Sequence, residues 1–319
     1  MTDTQAAILT VTLNPALDIS VDAPNVAPGG KIRVGQPVAE PGGGGINVSR
    51  AIRLLGGQSQ ALAALGGLTG AKLKRLLRAE GVALLVHRIE GESRQNLTVT
   101  DTGDGAQYRF TMPGPEWRGD QGDAMQQAIA AQLASRGLAV LSGSQPPGVP
   151  AAFAADLARR AADAGTRLIV DTSGPALAQL LDTPGAKPPF MLRLDEAEAR
   201  AVQDAPLAPP AAAALAADLV ARGVAAVVIV ACGADGSVLV GQGARLHCAP
   251  PRVEVLSKVG AGDSFTAGFT LALARGQSLS EALQLGTAAA AAAVMTGSTE
   301  LCRPQDVQAL LPDCRVSAL

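Results

Sequence analysis

The run Ile8-Leu-Thr-Val-Thr-Leu13, which continues as Asn14-Pro-Ala-Leu-Asp18, is nearly continuous in apolar and β-branched residues. Strands covered on both faces carry this pattern, because neither face meets water. Leu138-Leu141, Leu168-Val170 and Val227-Val230 repeat it. Between such runs lie segments with helical character: Ile46-Leu55, Ala71-Glu80, Asp123-Ala134, Ala151-Ala164, Ala211-Arg222, Ser264-Ala274 and Leu279-Val294. Short buried strands alternating with helices of that length imply βα units and a mainly parallel central sheet. Ligands of such sheets bind at the carboxyl ends of the strands. Asn14-Pro15 ends the first strand there and delivers Asp18 to that edge.

Two stretches break the pattern. Lys31-Pro37, and the pair Asn96-Thr100 and Gln107-Thr111, alternate polar and apolar residues, and Asp101-Thr-Gly-Asp-Gly105 joins the pair as a hairpin turn. A small antiparallel sheet beside the α/β body accounts for both. We expect a lid drawn from about 17–39 and 94–112 within one domain spanning 1–319. No repeat of 20–50 residues stands out, and Ala205-Ala211 reads as a loop entering a helix.

The 319 residues are 48% hydrophobic but only 2% aromatic, so alanine and the branched aliphatics must fill the core. Few aromatics also weakens any reading that needs stacking platforms for single-stranded nucleic acid. A net charge of -2 lacks the basic surplus that duplex binding requires, and the basic helix Lys72-Arg78 reads as a solvated face. Cys232, Cys248, Cys302 and Cys314 form no CxxC pair, and His87 and His247 supply no zinc spacing. Reduced thiols in a cytoplasmic protein are the expectation. The first residues lack the positive region of a signal peptide. Ala288-Ala293 is too short and too weakly apolar for a membrane span and reads as a packed core helix. Neither nucleic acid nor membrane is an expected partner.

Val259-Gly-Ala-Gly-Asp-Ser264 is followed directly by a helical pattern. Small residues let the backbone turn tightly, so successive N–H groups and the helix N-terminus can face one anionic group. Asp263 then sits beside an anion hole. A carboxylate there is no phosphate ligand, since like charges repel, but it can deprotonate a hydroxyl that attacks the phosphate. The same spacing also fits a cap in which Asp263 serves only its own helix. A second cluster, Pro41-Gly-Gly-Gly-Gly-Ile-Asn-Val48, also opens a helix. Four glycines suggest that something approaches the backbone closely, and Asn47 can bond sugar hydroxyls through its donor and its acceptor; a flexible strand-to-helix turn is the lesser alternative reading of the glycines. The cluster is neither a Walker A loop nor a clean GxGxxG, which disfavours a dinucleotide oxidoreductase. Lys31 and Arg94 lie in the two lid segments as cations able to meet an anionic substrate.

Together these motifs resemble the PfkB type of ribokinase-like sugar kinases over essentially the whole chain. Gly260-Ala-Gly-Asp263 resembles the C-terminal signature of that family and Gly42 to Asn47 the N-terminal one. Glu40-Asn47, Arg94-Gln-Asn-Leu97, Tyr108-Gly114 and Ser142-Gly-Ser-Gln-Pro-Pro-Gly148 are similar to the 6-phosphofructokinase branch; 1-phosphofructokinases and tagatose-6-phosphate kinases more often have Gly-Gly-Lys-Gly at the first. The resemblance implies a ribokinase-like fold and an ATP-dependent kinase for a phosphorylated hexose. Fructose 6-phosphate is the expected acceptor, and fructose 1-phosphate or tagatose 6-phosphate the alternative. By matching position, Asp263 would be the base, with Gly260, Ala261 and Gly262 as the anion hole. Asp18, Gly43, Gly44 and Asn47 would hold the sugar, while Lys31, Arg94 and Ser144 reach its phosphate. Asp195, Gly233, Gly236, Ser257 and Val259 would line the ATP side.

Two segments depart from the family pattern. Relatives carry Lys-Pro-Asn with a glutamate three residues after the Asn, where this chain reads Arg193-Leu-Asp195 and then Glu198. Aspartate can serve magnesium through water, and Glu198 is the candidate metal residue, also through water. Relatives also have an Asn-Gln-Gly-Thr-Arg-like stretch where this chain reads Thr296-Gly-Ser-Thr-Glu300, in the region where the family binds adenine and a monovalent cation such as potassium. These departures motivate a remote alternative, a non-catalytic sensor of sugar phosphate or nucleotide. The exposed face of the lid would bury well against its own copy, so a homodimer is expected.

Overall fold

Successive strand residues point to opposite faces, and β1 (Ile8–Thr12), buried throughout, shows both faces covered. A computed structural model describes residues 5–134, 137–203, 207–297 and 300–319. Ala205 and Pro206 of the expected loop, and Ser298 and Thr299 of the 296–300 segment, lie outside the described residues.

From β1 the chain enters β2 (Ala16–Ala23) and β3 (Val38–Gly42), then α1 (Gly44–Leu54), β4 (Gln60–Leu65), α2 (Gly67–Ala79) and β5 (Ala83–Arg88). A hairpin of β6 (Arg94–Asp101) and β7 (Gln107–Thr111) follows. Helices and strands then alternate through α3 (Gln121–Leu133), β8 (Leu138–Ser142), α4 (Phe153–Asp163), β9 (Arg167–Asp171), α5 (Gly174–Asp182), β10 (Met191–Leu194), α6 (Glu196–Gln203), α7 (Pro209–Ala221) and β11 (Val227–Ala231). The last elements are β12 (Ser237–Gly241), β13 (Ala244–Ala249), α8 (Ala261–Ala274), α9 (Leu279–Val294), α10 (Pro304–Leu310) and β14 (Arg315–Ala318).

Ten strands form the main sheet in the order β14-β13-β12-β11-β10-β9-β8-β1-β4-β5. From β11 to β5 all pairs are parallel, and β12 to β14 add an antiparallel edge. Alternation sorts the core. Leu9, Val11, Leu141 and Val170 face one apolar cluster, and Ile8, Val140 and Ile169 face the other.

The second cluster explains the alanine-rich composition. Phe265 and Phe269 of α8 are fully buried beside Ala288, Ala289, Ala292 and Ala293 of α9, so the alanine run is a core helix, as expected. Side chains this small let two backbones come together. A Cβ on Gly268 would lie 2.8 Å from the Leu285 carbonyl oxygen. Among the described residues no helix is long and apolar enough to cross a membrane. All four cysteines are free and buried.

The small sheet has the order β3-β2-β6-β7. It is antiparallel at β2–β3 and β6–β7, and parallel at β2–β6. Both β2 and β6 enter it from parallel strands of the main sheet, which gives them one direction. Lys31-Pro37, expected as a strand, is not one: the strand begins at Val38. Gly35 N–H donates to the Asp22 carbonyl at 2.8 Å, but the ladder with β2 stops at Ser20↔Val38. The alternating side chains Ile32 and Val34 are left exposed. At the hairpin, the Asp101 carboxylate accepts N–H groups from Asn25, Val26 and Gly103 at 2.6–3.0 Å, which lower its pKa from the ordinary carboxylate value.

Gly268→Val forces the α8 and α9 backbones apart. It is expected to cost about 2 kcal/mol of stability, read as a lower urea midpoint at unchanged slope.

Candidate active site

Parallel pairing places the ends of β1, β8, β9, β10 and β11 on one edge, so Asn14, Ser142, Asp171, Asp195 and Gly233 gather there. Helices α1 and α8 both start at this edge, on the two glycine clusters, and each is capped by a glycine without a side-chain hydrogen bond. Gly260 has φ 74, a left-handed turn that glycine adopts without strain. The amides that begin α8, at Ala261 and Gly262, thereby precede Asp263.

The Asp263 carboxylate is half-buried. Oδ2 accepts from Asn47 Nδ2 at 2.9 Å and Oδ1 from Ser142 Oγ at 3.5 Å. Burial pushes it up to about 6, reinforced by Asp171 and opposed by Asn47, Arg193 and Ser142. A carboxyl group there changes charge near neutrality, which suits a general base.

The glycine run 42–45 is packed closely, but by the protein itself. A side chain at Gly42 would collide with the Asp18 carboxylate, and one at Gly44 with Ser142. Asp18 accepts from Asn96 Nδ2 at 2.8 Å, and burial raises its carboxyl above the usual range. Arg94 opens β6; its Nε donates to the Asn14 carbonyl and its Nη1 to that of Met112, both at 3.2 Å. Asn14 Nδ2 in turn donates to Ser144 Oγ at 3.3 Å. Arg94, Ser144 and Asn14 line one cleft of about 620 Å³. Lys31 is exposed on the segment between β2 and β3 and does not line that cleft.

On the other side of Asp263, Asp195 and Glu198 make a reciprocal cap for α6. Glu198 N–H donates to Asp195 Oδ1 at 2.7 Å, and Asp195 N–H to Glu198 Oε2 at 2.8 Å. Burial lifts Glu198 to about 7, with Asp195 and Asp171 adding to the rise. Gly233 lies close to Glu196, while Gly236 is pressed on the Cys248 carbonyl and has no room for a side chain. Ser257 is buried, its Oγ accepting from Val259 N–H at 3.2 Å. Among the described residues no three His, Cys, Asp or Glu side chains form a metal cluster.

The sequence reading passed over Asp171 and gave Arg193 no role. Arg193 Nη1 sits 3.4 Å from both Asp171 oxygens, over the Phe265 ring and 3.0 Å from where a Cβ on Gly262 would be. Thr266 Oγ1 also donates to Asp171, at 2.9 Å. Leu168-Ile-Val-Asp171, an apolar strand ending in aspartate, carries the signal that singled out Asp18.

Glycine-capped helix N-termini beside a half-buried carboxylate, at the carboxyl edge of a parallel sheet, match the layout of a phosphoryl-transfer enzyme. The family model described as pfkB family carbohydrate kinase matches residues 11–306, and the chain belongs to that family. It is 39% identical over 305 residues to the ATP-dependent 6-phosphofructokinase isozyme 2 of Mycobacterium tuberculosis, across 94% of this chain and 88% of that protein. Identity to the 1-phosphofructokinase of Xanthomonas campestris is 33% over 306 residues, across 94% and 95%. The solved phosphofructokinase-2 of Escherichia coli in complex with fructose-6-phosphate has a TM-score of 0.88 at 36% identity, covering 97% of this chain and 99% of that one. Its complex with potassium gives 0.89.

Because folding raises the Asp263 pKa, the fold favours its protonated form. That contribution is complete below the unfolded value near 4 and is lost as pH rises through about 6. Asp263→Asn is therefore expected to stabilise the protein by about 2–3 kcal/mol at pH 8 and by less than about 1 kcal/mol at pH 4. Urea titrations at the two pH values check this.

Proposed function

We propose that the protein is an ATP-dependent 6-phosphofructokinase, moving the terminal phosphoryl of ATP in line to the C1 hydroxyl of fructose 6-phosphate and releasing ADP. The carrying observation is Asp263, a carboxylate pushed up to about 6, bonded to Asn47 and seated on the first turn of α8 beside Gly260, Ala261 and Gly262. Asp263 takes the proton of the attacking hydroxyl, and the amides following Gly260 stabilise the charge that develops on the moving group. Asp18, Gly43, Gly44 and Asn47 hold the sugar. Arg94 and Ser144, in the cleft of about 620 Å³, meet its phosphate, with Lys31 joining from the lid. The small sheet serves as that lid within a single domain and excludes water, which would otherwise hydrolyse ATP.

ATP lies along the β10–β11 side, against Asp195, Gly233, Gly236, Ser257 and Val259. Magnesium suits this side, since Asp195 and Glu198 are hard oxygen donors and like charge contributes to the raised Glu198 pKa; Glu198 would hold the ion through water. Bound with ATP, the ion neutralises charge on the phosphate oxygens. The capping role of Asp195 gives that departure a structural explanation, which removes part of the motive for a non-catalytic sensor.

The 39% identity to a 6-phosphofructokinase against 33% to a 1-phosphofructokinase supports fructose 6-phosphate, as does Gly42-Gly45 without a lysine. The 1-phosphofructokinase relative keeps fructose 1-phosphate as the second reading. A coupled ADP assay over fructose 6-phosphate, fructose 1-phosphate and tagatose 6-phosphate, with and without potassium, is expected to give the highest kcat/KM for the first. A preference for fructose 1-phosphate reverses the choice. Asp263→Asn is expected to lower kcat by about 10²–10⁴ while staying folded; near-normal turnover removes the base.

Tyr108, Phe110 and Met112 stand exposed at alternate positions of β7 and its end. A homodimer through this face buries them. Light scattering is expected to show a dimer, with Phe110→Asp shifting it to monomer.

A further inference from the structure

Arg50 lies on α1 one turn beyond Asn47, and its side chain is only 11% exposed. Its guanidinium has several partners at once. Nε and Nη2 grip the Glu80 carboxylate at 2.6 and 3.0 Å, and Glu40 Oε1 stands 3.7 Å from Nη2. Nη1 donates to the carbonyl of Pro41, the residue before the glycine run, at 3.0 Å, and to Asn47 Oδ1 at 3.4 Å. Asn47 is thus held at both ends, for its Nδ2 donates to Asp263.

A carboxamide has a donor end and an acceptor end. With the guanidinium at Oδ1, turning the amide over would set its NH2 against a cation and its carbonyl against a carboxylate. Without that cation, the amide can turn over once Asp263 is protonated and accept the acid's O–H. Hydrogen bonding to the charged form of a carboxyl group favours it, and bonding to the neutral form disfavours ionisation.

We propose that Arg50 is a positioning residue for the base: by holding Oδ1 of Asn47 it keeps Nδ2 donating to Asp263 and so favours the ionised, proton-accepting carboxylate. This rests on Asp263 being the base. The groups that face Asp263 are Asn47 from α1, Ser142 from β8, Asp171 from β9 and Arg193 from β10. Arg50 reaches it only through Asn47, and its own charge is matched by Glu80 and Glu40.

The test is the pH profile of kcat at saturating ATP and fructose 6-phosphate, for Arg50→Met and Arg50→Lys, each alone and with Asn47→Ala. Arg50→Met is expected to move the acid limb up by about one pH unit. At the midpoint of the unsubstituted limb, that lowers kcat about fivefold while changing the sugar KM less than about twofold. Arg50→Lys keeps the charge but loses the fork, and is expected to move the limb the same way by roughly half that amount. In the Asn47→Ala background neither substitution should move it. An unmoved limb in Arg50→Met or Arg50→Lys overturns the proposal, and so does an equal shift without Asn47. If Arg50→Met does not fold, the two Arg50→Lys profiles decide by the same criteria. Turnover retained by Asp263→Asn instead overturns the assignment of the base, so the two failures are distinct.

Discussion

The 2.9 Å hydrogen bond from Asn47 to Asp263 joins two helices that begin on separate glycine clusters, 216 residues apart in sequence. For that bond to form, α1 and α8 must start side by side at the carboxyl edge of the main sheet. Neither helix spends a side chain on its own first turn, so the free amides of both N-termini converge on the space beside one carboxylate. A helix N-terminus with unsatisfied N–H groups attracts anions. Much of the remaining architecture can be understood as what brings these two ends together.

The close approach depends on missing side chains. Gly44 leaves room for Ser142, and Gly262 for the Arg193 guanidinium beneath the first turn of α8. Arg193 is 8% exposed, pairs with Asp171 and lies over Phe265. The site therefore rests on a buried cation ringed by Asp171, Asp263 and Glu198, two of which burial pushes towards neutrality. Holding carboxyl groups in such surroundings opposes stability while tuning reactivity. The alanine-lined packing of α8 on α9 holds α8, and with it Asp263, against the rest of the core.

Much of this was legible in the sequence because burial leaves a local signature. The strands at Ile8, Leu138, Leu168 and Val227 are apolar runs because helices cover both faces, and helix α9 matches its expected span of Leu279–Val294. The two glycine clusters stand out for a similar reason, since backbone crowding excludes side chains. Lys31-Pro37 misled because alternation records which side chains could face a core, whereas a strand also needs a ladder and a core to face. Its backbone bond to β2, from Gly35 N–H to the Asp22 carbonyl, does not extend into a ladder, and Ile32 and Val34 stay exposed.

By itself, then, the sequence determined the βα succession, the two glycine-led helices and the place of Asp263 on the first turn of the second. Those properties follow from local pattern and from residues near one another in the chain. Only the tertiary structure decided that Asn47 bonds Asp263, that Arg193 lies under Gly262, that Arg50 holds the far end of Asn47, and that Asp195 and Glu198 cap α6. It also decided that the glycine run 42–45 is crowded by the protein's own Asp18 and Ser142. Except for the local α6 cap and the Arg50–Asn47 contact within α1, these contacts join segments distant in sequence. Their partners are chosen by sheet order and by which backbones pack closely enough to touch.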